Sequence, residues 1–308
     1  MRILITGAEG FVGRNLQEHF SRNASVEEVF APTFNELDLR ATDDVKQYMS
    51  GKEIDVIVHS ATTMPKGKAY PPTVCEDNLR MFFNLLRGMG SSMRLINLGS
   101  GSEYSREYWH SKISEEFFDS HVPNDPHSYS KYVISKYIIN NDRHDLLTLR
   151  IFGVFGKYED YRYKFISNTI AKNLLGLSID INRNAWYDYL DVADLCRIVE
   201  FFTFNDHRHA DYNVTPTESI ELTGIPRLVN GVAHRPSAIN VLNEGLGTPC
   251  TGRNDRLLKE LGDFRFTSYA ESISALFEHY ASQIHGLDRA ALVNDDFLNY
   301  AKSLQKQP

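Results

Sequence analysis

The strongest constraint on the fold lies in the first thirteen residues, where a short apolar run gives way to regularly spaced glycines. Ile3–Ile5 has the composition of a β-strand, and Gly7, Gly10 and Gly13 follow it in a G-x-x-G-x-x-G pattern. Apolar residues at helical spacing come next, so the pattern predicts a strand, a tight turn and a helix. Such a turn lets a pyrophosphate approach the backbone and sit on the helix N-terminus, where N–H groups point outward.

Strand and helix patterns alternate through the first half of the chain. The apolar, β-type segments predicted as strands are Arg2–Thr6, Glu28–Ala31, Asp55–His59, Arg94–Leu98 and Leu146–Ile151. The segments predicted as helices are Arg14–Ser21, Thr42–Ser50, Asn78–Met89 and Tyr132–Asp142. This alternation predicts an α/β fold with a Rossmann-type, doubly wound parallel sheet and crossover helices on both faces.

The regular alternation of strand and helix patterns ends after Tyr158. A helix-like stretch at Lys164–Leu175 is followed later by Thr215–Gly252, which mixes Pro, Gly, Asn and short apolar pieces. We predict a smaller, interleaved α/β substrate lobe there. The dinucleotide-binding domain would comprise residues 1–158 and about 183–212, and the substrate-binding lobe about 159–182 and 213–308. The cleft between them, at the carboxyl ends of the strands, is the expected binding site.

Composition and charge argue against several classes of protein. The net charge is −7 at pH 7, so a broad basic surface for nucleic acid is not expected. No apolar run approaches the roughly 20 residues that span a bilayer, and the early first strand leaves no room for a targeting segment. Cys75, Cys196 and Cys250 form no CxxC motif and suit a reducing compartment. We therefore expect a cytoplasmic protein that binds neither nucleic acid nor membranes.

His207 and His209 come nearest to a metal-binding motif. Arg208 separates them, no third ligand stands at a sensible spacing, and the segment has the composition of a solvated turn. We therefore expect no metal site.

Tyr132 and Lys136 are candidates for acid–base chemistry. They stand four residues apart in a predicted helix, so their side chains share one face. An adjacent ammonium favours the phenolate, so we expect Lys136 to lower the pKa of Tyr132 and allow proton exchange near neutral pH. The alternative is that Tyr132 is a half-buried aromatic on that helix. Tyr108 and Lys112 have the same spacing, but they lie too close after Ser100, a candidate catalytic serine, to leave room for a loop and a fresh helix.

Ser100 is the candidate catalytic serine, and it directly follows the fourth predicted strand. A hydroxyl at the carboxyl end of a strand can donate a hydrogen bond to a substrate oxygen and stabilise developing negative charge. Ser102 is a nearby competitor, and the alternative for both is an ordinary Gly/Ser turn.

Together these residues resemble the extended short-chain dehydrogenase/reductase superfamily, in the NAD-dependent epimerase/dehydratase branch that modifies nucleotide sugars. The glycine turn, Ser100 and the Tyr132–Lys136 pair occur in the order and spacing of that family. Further segments are similar to its motifs: His59–Ala61, Asn78–Leu86, Leu149–Gly156, Asp188–Asp194 and Gly252–Arg256.

The resemblance implies a role for each of these groups. Tyr132 would be the acid or base, Lys136 would hold the nicotinamide ribose and tune Tyr132, and Ser100 would polarise a sugar oxygen, with Ser102 as an auxiliary. The implied cofactor-binding residues are Gly7, Gly10, Phe11, Val12, Gly13, Arg14, Asp38, Leu39, Ser60, Ala61 and Lys136. Asp38 and Leu39 would meet the adenine ring, although Asp38 could instead cap the Thr42–Ser50 helix.

Departures from the family pattern narrow the reaction. Sugar dehydratases of the family carry an acid pair after the catalytic hydroxyl, where this chain has Gly101 and Ser102. Reductases that also epimerise carry a cysteine at the Ser102 position, and serine is a much weaker acid. We therefore favour reduction of a 4-keto nucleotide sugar, with a C4 epimerase that recycles bound NAD as the alternative. A 4,6-dehydratase or a non-catalytic cofactor-binding protein is less favoured.

The coenzyme and substrate contacts are predicted from single positions. An NAD site usually has a carboxylate about 20 residues after the glycines, but counting from Gly13 reaches Thr33. This favours NADP(H) over NAD(H), with Arg14 as a candidate contact for the 2′-phosphate. The candidate substrate residues at the start of the second lobe are Tyr161, Arg162, Lys164 and Asn168. Arg183 and Arg253 are candidates to replace a family arginine that this chain lacks, since arginine suits phosphate recognition.

The expected partner of the chain is a second copy of itself. The helices predicted at Asn78–Met89 and Tyr132–Asp142 are apolar on more than one side. The resemblance implies a homodimer through a four-helix contact, and the alternative is that both apolar stripes face the sheet. It also implies a place in cell-surface polysaccharide or deoxysugar synthesis.

Overall fold

The computed structural model describes residues 1–65, 69–141 and 143–304 of the chain. In these ranges the strands are β1 (Arg2–Thr6), β2 (Glu28–Phe30), β3 (Val56–His59), β4 (Arg94–Ser100), β5 (Leu146–Ile151), β6 (Gly153–Phe155), β7 (Ile179–Asn184), β8 (Trp186–Tyr187), β9 (Tyr189–Asp191), β10 (Asp211–Val214), β11 (Ile220–Glu221) and β12 (Ile239–Leu246). The α-helices are α1 (Phe11–Phe20), α2 (Thr42–Met49), α3 (Val74–Gly88), α4 (Pro126–Ile139), α5 (Phe165–Leu174), α6 (Val192–Phe204), α7 (Gly224–Val232), α8 (Asp255–Leu261), α9 (Tyr269–Ala281), α10 (Arg289–Asn294) and α11 (Asp296–Leu304).

The central sheet has the order β10-β5-β4-β3-β1-β2, and all its neighbouring strands are parallel. The predicted doubly wound parallel sheet is therefore confirmed. The chain runs outward from β1 in both directions, since β2 pairs with one side of β1 and β3 with the other. Such a reversal of strand order opens a crevice at the carboxyl ends of the strands, where ligands bind in folds of this class.

Alternating side chains of β1 separate the two faces of the sheet. Ile3 and Ile5 belong to a core that includes Leu16 of α1 and Phe202 of α6. Leu4 belongs to a second core, built with residues of α2, α3 and α4. Helices thus cover both faces, as the nearly continuous apolar strands require.

The helix that carries Tyr132 begins earlier than predicted, at Pro126. Asp125 caps it, because its carboxylate accepts the backbone N–H of Ser128 at 2.9 Å. Proline suits the first helical position, where an N–H group would have no partner within the helix. The predicted helix end at Asp142 lies outside the described residues, and α4 ends at Ile139.

A third core lies away from the sheet, among α5, α7 and α9. It includes Phe165, Ile170, Ile225, Val229 and Phe277. β7 pairs with β12 and β8 with β11, outside the central sheet. The proposed division of the chain into a dinucleotide domain and a substrate lobe stays a prediction. In the described ranges, no helix combines the length and apolarity needed to cross a bilayer.

Candidate active site

The turn between β1 and α1 requires glycine at both of its ends. Gly7 has a φ of +70°, and a Cβ there would lie 2.7 Å from the Cα of Ala61. A Cβ on Gly13 would lie 2.1 Å from the carbonyl oxygen of Gly7. The N-cap of α1 is Gly10, and no side chain caps it. The turn therefore exposes the backbone of a helix N-terminus, which fits the pyrophosphate of a dinucleotide.

A cavity of about 390 Å³ lies beside this turn, at the reversal of strand order between β1 and β3. Of the predicted cofactor residues, those lining it are Gly7, Gly10, Asp38, Leu39, Ser60 and Ala61. Phe11, Val12 and Gly13 directly follow Gly10, in the first turn of α1. The lining also includes residues that the sequence reasoning missed: Glu9, Phe34, Arg40, Thr62, Thr63 and Met64.

Charged side chains gather where the cavity meets the segment after β2. The Glu9 carboxylate accepts the backbone N–H of Phe34 at 2.7 Å. Arg40 lies over the Phe34 ring, 5.2 Å from its centroid, and its Nη2 is 2.8 Å from the Asp38 carboxylate. The hydrogen bond from Arg40 lowers the pKa of Asp38. Glu9 has no sequence signal of its own, because its partner lies 25 positions away.

The structure rules out the alternative role of Asp38 as a helix cap, and it gives Arg14 contacts within the chain. Asp38 does not cap α2, whose N-cap is Ala41, because the Asp38 carboxylate accepts the N–H groups of Arg40 instead. Arg14 lies against the Tyr158 ring, 3.7 Å from its centroid, and 3.9 Å from the Glu18 carboxylate. The role of Arg14 as a contact for the coenzyme stays a prediction, and the cation that lines the cavity is Arg40.

The structure brings Tyr132 and Lys136 together on α4. Lys136 Nζ donates to the phenol oxygen of Tyr132 at 3.1 Å. Asp119 joins them, because its carboxylate accepts a hydrogen bond from Lys136 Nζ at 2.8 Å and another from the Tyr132 hydroxyl. Burial and the Asp119 contact raise the pKa of Tyr132, and Lys136 opposes them less strongly. Lys136 does lower the pKa of Tyr132 as expected, but burial and Asp119 outweigh it, so the expected net lowering is wrong.

Buried hydrogen bonds fix α4 against its neighbours. Lys131 Nζ donates to the carbonyl of Leu98 in β4 at 2.9 Å, and burial lowers the pKa of Lys131 to about 8. Asn78 of α3 donates to the Ser130 hydroxyl at 2.9 Å. The residues next to Tyr132 are therefore anchored on two sides.

Ser100 and Ser102 form a hydroxyl pair at the carboxyl end of β4. Both the hydroxyl and the backbone N–H of Ser102 donate to Ser100 Oγ, at 3.0 and 3.2 Å. The turn Gly101–Tyr104 packs against α4, so the serine pair and the Tyr132–Lys136 pair lie at the same edge of the sheet. The Ser100 oxygen accepts both of these hydrogen bonds, so its own hydroxyl hydrogen is left for a further acceptor.

A buried ion pair supports the serine turn from below. The Glu103 carboxylate accepts the backbone N–H of Ser100 and the Nε of Arg150, each at 2.7 Å. Arg150 also pairs with Asp211 and is fully buried. The sequence reasoning missed these residues, because the partners come from separate strands and show no local pattern.

The second Tyr–Lys pair has other partners. The Tyr108 ring stacks on His121 with centroids 3.5 Å apart. Lys112 Nζ lies 3.1 Å from the Asp188 carboxylate. These contacts agree with the choice of Tyr132 over Tyr108 as the candidate acid.

Several of the candidate substrate residues already have partners within the chain, and their role in substrate binding stays a prediction. Arg162 pairs with Asp160, and Arg253 pairs with Asp255 beside a separate charged groove. Asn168 donates to the carbonyl of Tyr161 at 3.1 Å, and Tyr161 Oη accepts the N–H of Asp288 at 2.9 Å. Lys164 is the N-cap residue of α5, and the Nε of Arg183 is buried with no hydrogen-bond partner.

The histidines considered for metal binding make a turn contact, since His207 Nδ1 lies 2.9 Å from the carbonyl of His209. Over residues 1–65, 69–141 and 143–304, no three His, Cys, Asp or Glu side chains form a group that could hold a metal ion.

Comparison with known proteins gives the family. A model described as the NAD dependent epimerase/dehydratase family matches residues 3–215. A GDP-L-fucose synthase of Azorhizobium caulinodans is 37% identical over 108 residues, 33% of this chain and 34% of that protein. The chain thus matches about a third of the length of that relative. A GDP-L-colitose synthase of Yersinia pseudotuberculosis is 23% identical over 236 residues, 70% of this chain and 75% of that protein.

Solved structures share the fold. A UDP-glucose 4-epimerase of Thermotoga maritima superposes with a TM-score of 0.77 at 16% identity, covering 92% of this chain and all of that one (100%). A GDP-L-fucose synthetase of Naegleria fowleri gives 0.79 at 14% identity, covering 94% and 95%. The chain belongs to the NAD-dependent epimerase/dehydratase family.

Proposed function

We propose that this member of the NAD-dependent epimerase/dehydratase family reduces a 4-keto nucleotide-diphosphate sugar, with Tyr132 as the proton donor. The observation that carries the proposal is the Tyr132–Lys136 pair, 3.1 Å apart, at the same sheet edge as the Ser100–Ser102 hydroxyl pair. The nicotinamide coenzyme, when bound, supplies the hydride. Proton donor and hydroxyl donor then act on one carbonyl oxygen.

Each side chain has a separate role at the carbonyl oxygen of the substrate. The Ser100 hydroxyl donates a hydrogen bond to the carbonyl oxygen and stabilises the negative charge that develops there. Tyr132 transfers its phenol proton to the same oxygen, and the Lys136 ammonium stabilises the phenolate that remains. Gly7, Gly10 and the first turn of α1 bind the pyrophosphate of the coenzyme.

The absence of an exposed acid in the serine turn favours reduction over dehydration. Ser102 already donates its hydroxyl to Ser100. Glu103, the carboxylate in the turn, is fully buried and bound to Arg150, so it cannot reach a sugar carbon. A C4 epimerase would use the same Tyr132 and Ser100 and stays the second candidate, since solved epimerases of the family share this fold.

The choice of coenzyme follows from the charges at the cavity. The sequence favours NADP(H), with Arg14 as the phosphate contact, but the nearest cation is Arg40, which already pairs with Asp38. Glu9 is bound to the backbone N–H of Phe34, just after β2, where a carboxylate usually accepts the ribose 2′-hydroxyl of NAD. A 2′-phosphate would meet Glu9 and Asp38 there. These contacts support NAD(H), and NADP(H) is the alternative for direct titration.

The names of the two curated relatives support GDP as the first nucleotide to test. One is a GDP-L-fucose synthase and the other a GDP-L-colitose synthase. Location in the cytoplasm and a role in cell-surface polysaccharide synthesis stay predictions from the sequence.

A homodimer through α3 and α4 is part of the proposal. The two helices pack against each other, and their buried residues Phe82 and Ile134 enter the second core. Phe83, Val133 and Ile139 are only half-buried in the single chain, so they can contribute to a contact between copies. Sedimentation at micromolar concentration tests this contact, and a monomeric mass would contradict it.

The reaction is tested by following reduced-nicotinamide absorbance with NADH and NADPH against 4-keto and ordinary sugar nucleotides carrying GDP, UDP or dTDP. Consumption of coenzyme only with a 4-keto sugar, abolished by Tyr132→Phe, supports the reductase. Conversion of an ordinary sugar nucleotide to its C4 epimer, without net consumption of coenzyme, overturns it.

A further inference from the structure

Asp119 contacts both members of the Tyr132–Lys136 pair, although neither the sequence motif nor the family resemblance includes it. Its carboxylate accepts hydrogen bonds from Lys136 Nζ at 2.8 Å and from the Tyr132 hydroxyl. It comes from the long loop between β4 and α4, not from the helix that carries the pair. The phenol therefore has an anion and a cation as immediate neighbours.

The loop holds this carboxylate in a defined position. Asp119 has a φ of +70°, a left-handed conformation that Asp and Asn adopt more readily than most residues. The preceding ring, Phe118, lies 5.4 Å from the Tyr132 ring and under the Arg150 guanidinium, 4.1 Å away. Phe117 packs against the buried Tyr104 ring at 6.4 Å. Two aromatic anchors thus fix the backbone just before Asp119.

We propose that Asp119 is a fourth catalytic residue beside Ser100, Tyr132 and Lys136, and that its carboxylate accepts the phenol hydrogen bond and keeps the proton on Tyr132 until a substrate oxygen takes it. The proposal rests on the proposed function, in which Tyr132 donates a proton. It also predicts which direction of the reaction, reduction or oxidation, the site favours. A site that keeps its tyrosine protonated is suited to reducing a carbonyl, whereas oxidising a hydroxyl needs the phenolate.

The charges around the phenol support this role. Asp119 approaches from the loop and Lys136 from α4, while the rings of Phe118 and Tyr129 flank Tyr132 with centroids 5.4 and 6.3 Å away. Lys136 favours the phenolate, and Asp119 opposes it both directly and by pairing with Lys136. The pKa of Tyr132 is raised, and Lys136 and Tyr132 lower the pKa of Asp119, so the carboxylate is ionised at neutral pH.

The proton balance of the step is complete. The carbonyl carbon accepts the hydride that a reduced nicotinamide would supply, the π electrons move to the carbonyl oxygen, and that oxygen takes the proton from Tyr132. The phenolate that remains lies between Asp119 and Lys136, and water returns the proton. The negative Asp119 disfavours a lasting phenolate, so it promotes this return.

Asp119→Asn tests the proposal without disturbing the backbone, because asparagine tolerates the same left-handed conformation. The phenolate absorbance of Tyr132 is obtained by subtracting the alkaline titration of a Tyr132→Phe protein from that of its parent. We expect Tyr132 to ionise at a pH lower by about one unit in Asp119→Asn, a tenfold change in ionisation constant. The same titration in both proteins would overturn the proposal.

Glu116→Gln is the matched control. Glu116 lies in the same loop, but its carboxylate pairs with Arg256 at 3.0 Å, so the titration of Tyr132 should not move. An equal shift in this variant would mean that loop charge in general, not Asp119, acts on the phenol. Asp119→Gly, which also suits a positive φ, replaces Asp119→Asn if the asparagine variant fails to fold.

The pH profile of reduction provides the second measurement. Because a raised pKa keeps Tyr132 protonated, kcat/KM should fall only as the pH rises through that pKa. In Asp119→Asn the fall should begin about one pH unit lower. The spectroscopic titration needs neither coenzyme nor substrate, so a shift there without reductase activity would refute the proposed function alone. Activity with an unmoved titration would refute the role of Asp119 alone.

Discussion

The coenzyme cavity and the proton-transfer site lie at the same edge of the sheet but are built in different ways. The cavity depends on backbone: Gly7 and Gly13 have no room for a side chain. The proton-transfer site depends on charges brought from separate segments, with Asp119 from a loop and Lys136 from a helix. The first kind of site is visible in a run of thirteen residues, whereas the second is only partly visible in any short motif.

The largest effect is expected from removing the proton donor. Tyr132→Phe should reduce turnover by about 10²–10⁴-fold, the usual contribution of a positioned acid, because the ring remains but the proton is lost. Coenzyme affinity, measured by fluorescence titration, should change little, since the cavity depends on the β1–α1 turn. Loss of coenzyme affinity together with turnover would mean that the two regions are not separable.

The next largest effect is expected from breaking the buried ion pair between Glu103 and Arg150, which supports the serine turn. Glu103→Gln leaves Arg150 with Asp211 as its remaining carboxylate, and breaking one partner of a buried pair costs about 3 kcal/mol of unfolding free energy. Chemical denaturation measures this loss. Asp160→Asn, which breaks an exposed pair with Arg162, should change it by at most about 0.5 kcal/mol. Equal losses in the two variants would refute the structural role of Glu103.

Gly13→Ala tests the backbone site. The new Cβ would lie 2.1 Å from the carbonyl oxygen of Gly7, so the turn must shift, at a cost of about 1–3 kcal/mol in stability. Coenzyme affinity should fall with it, while the alkaline titration of Tyr132 should not move.

Gly231→Ala is the control for that change. Gly231 lies in α7 with nothing near its missing Cβ, so alanine should stabilise the chain by about 0.5–1 kcal/mol. If Gly13→Ala binds coenzyme as tightly as Gly231→Ala does, the backbone turn is not the determinant of the cavity.

The same contrast explains what the sequence could predict. Hydrophobic runs and glycine spacing act locally, so β1, β5 and the β1–α1 turn were predicted closely. The Tyr132–Lys136 pair was also predicted, because both residues lie on one helix. Asp119 was not, since its contact depends on a left-handed backbone and on Phe118 packing against Arg150.

The error about the Tyr132 pKa has the same origin. A spacing of four residues indicates that Lys136 lies on the same helix face as Tyr132. It indicates neither the contact with Asp119 from the loop nor the burial of the Tyr132 ring. Two of the candidate substrate residues, Arg162 and Arg253, each pair with an acid two positions away. Local ion pairs of this kind satisfy a charge without any ligand.

The smallest effect is a change in coenzyme preference. It tests whether a side-chain charge also matters in the coenzyme cavity, which otherwise depends on the backbone of the glycine turn. Glu9→Gln keeps an acceptor for the Phe34 N–H but removes the negative charge, so NADPH should gain about tenfold in affinity relative to NADH, or about 1.4 kcal/mol. Glu36→Gln, a nearby change in a carboxylate that binds Thr33, should leave the ratio unchanged. A wild-type protein that already prefers NADPH would contradict the assignment to Glu9 and indicate that Arg40 leaves Asp38 to bind the phosphate. In either case the glycine turn would hold the pyrophosphate and a single side chain would choose between the two coenzymes.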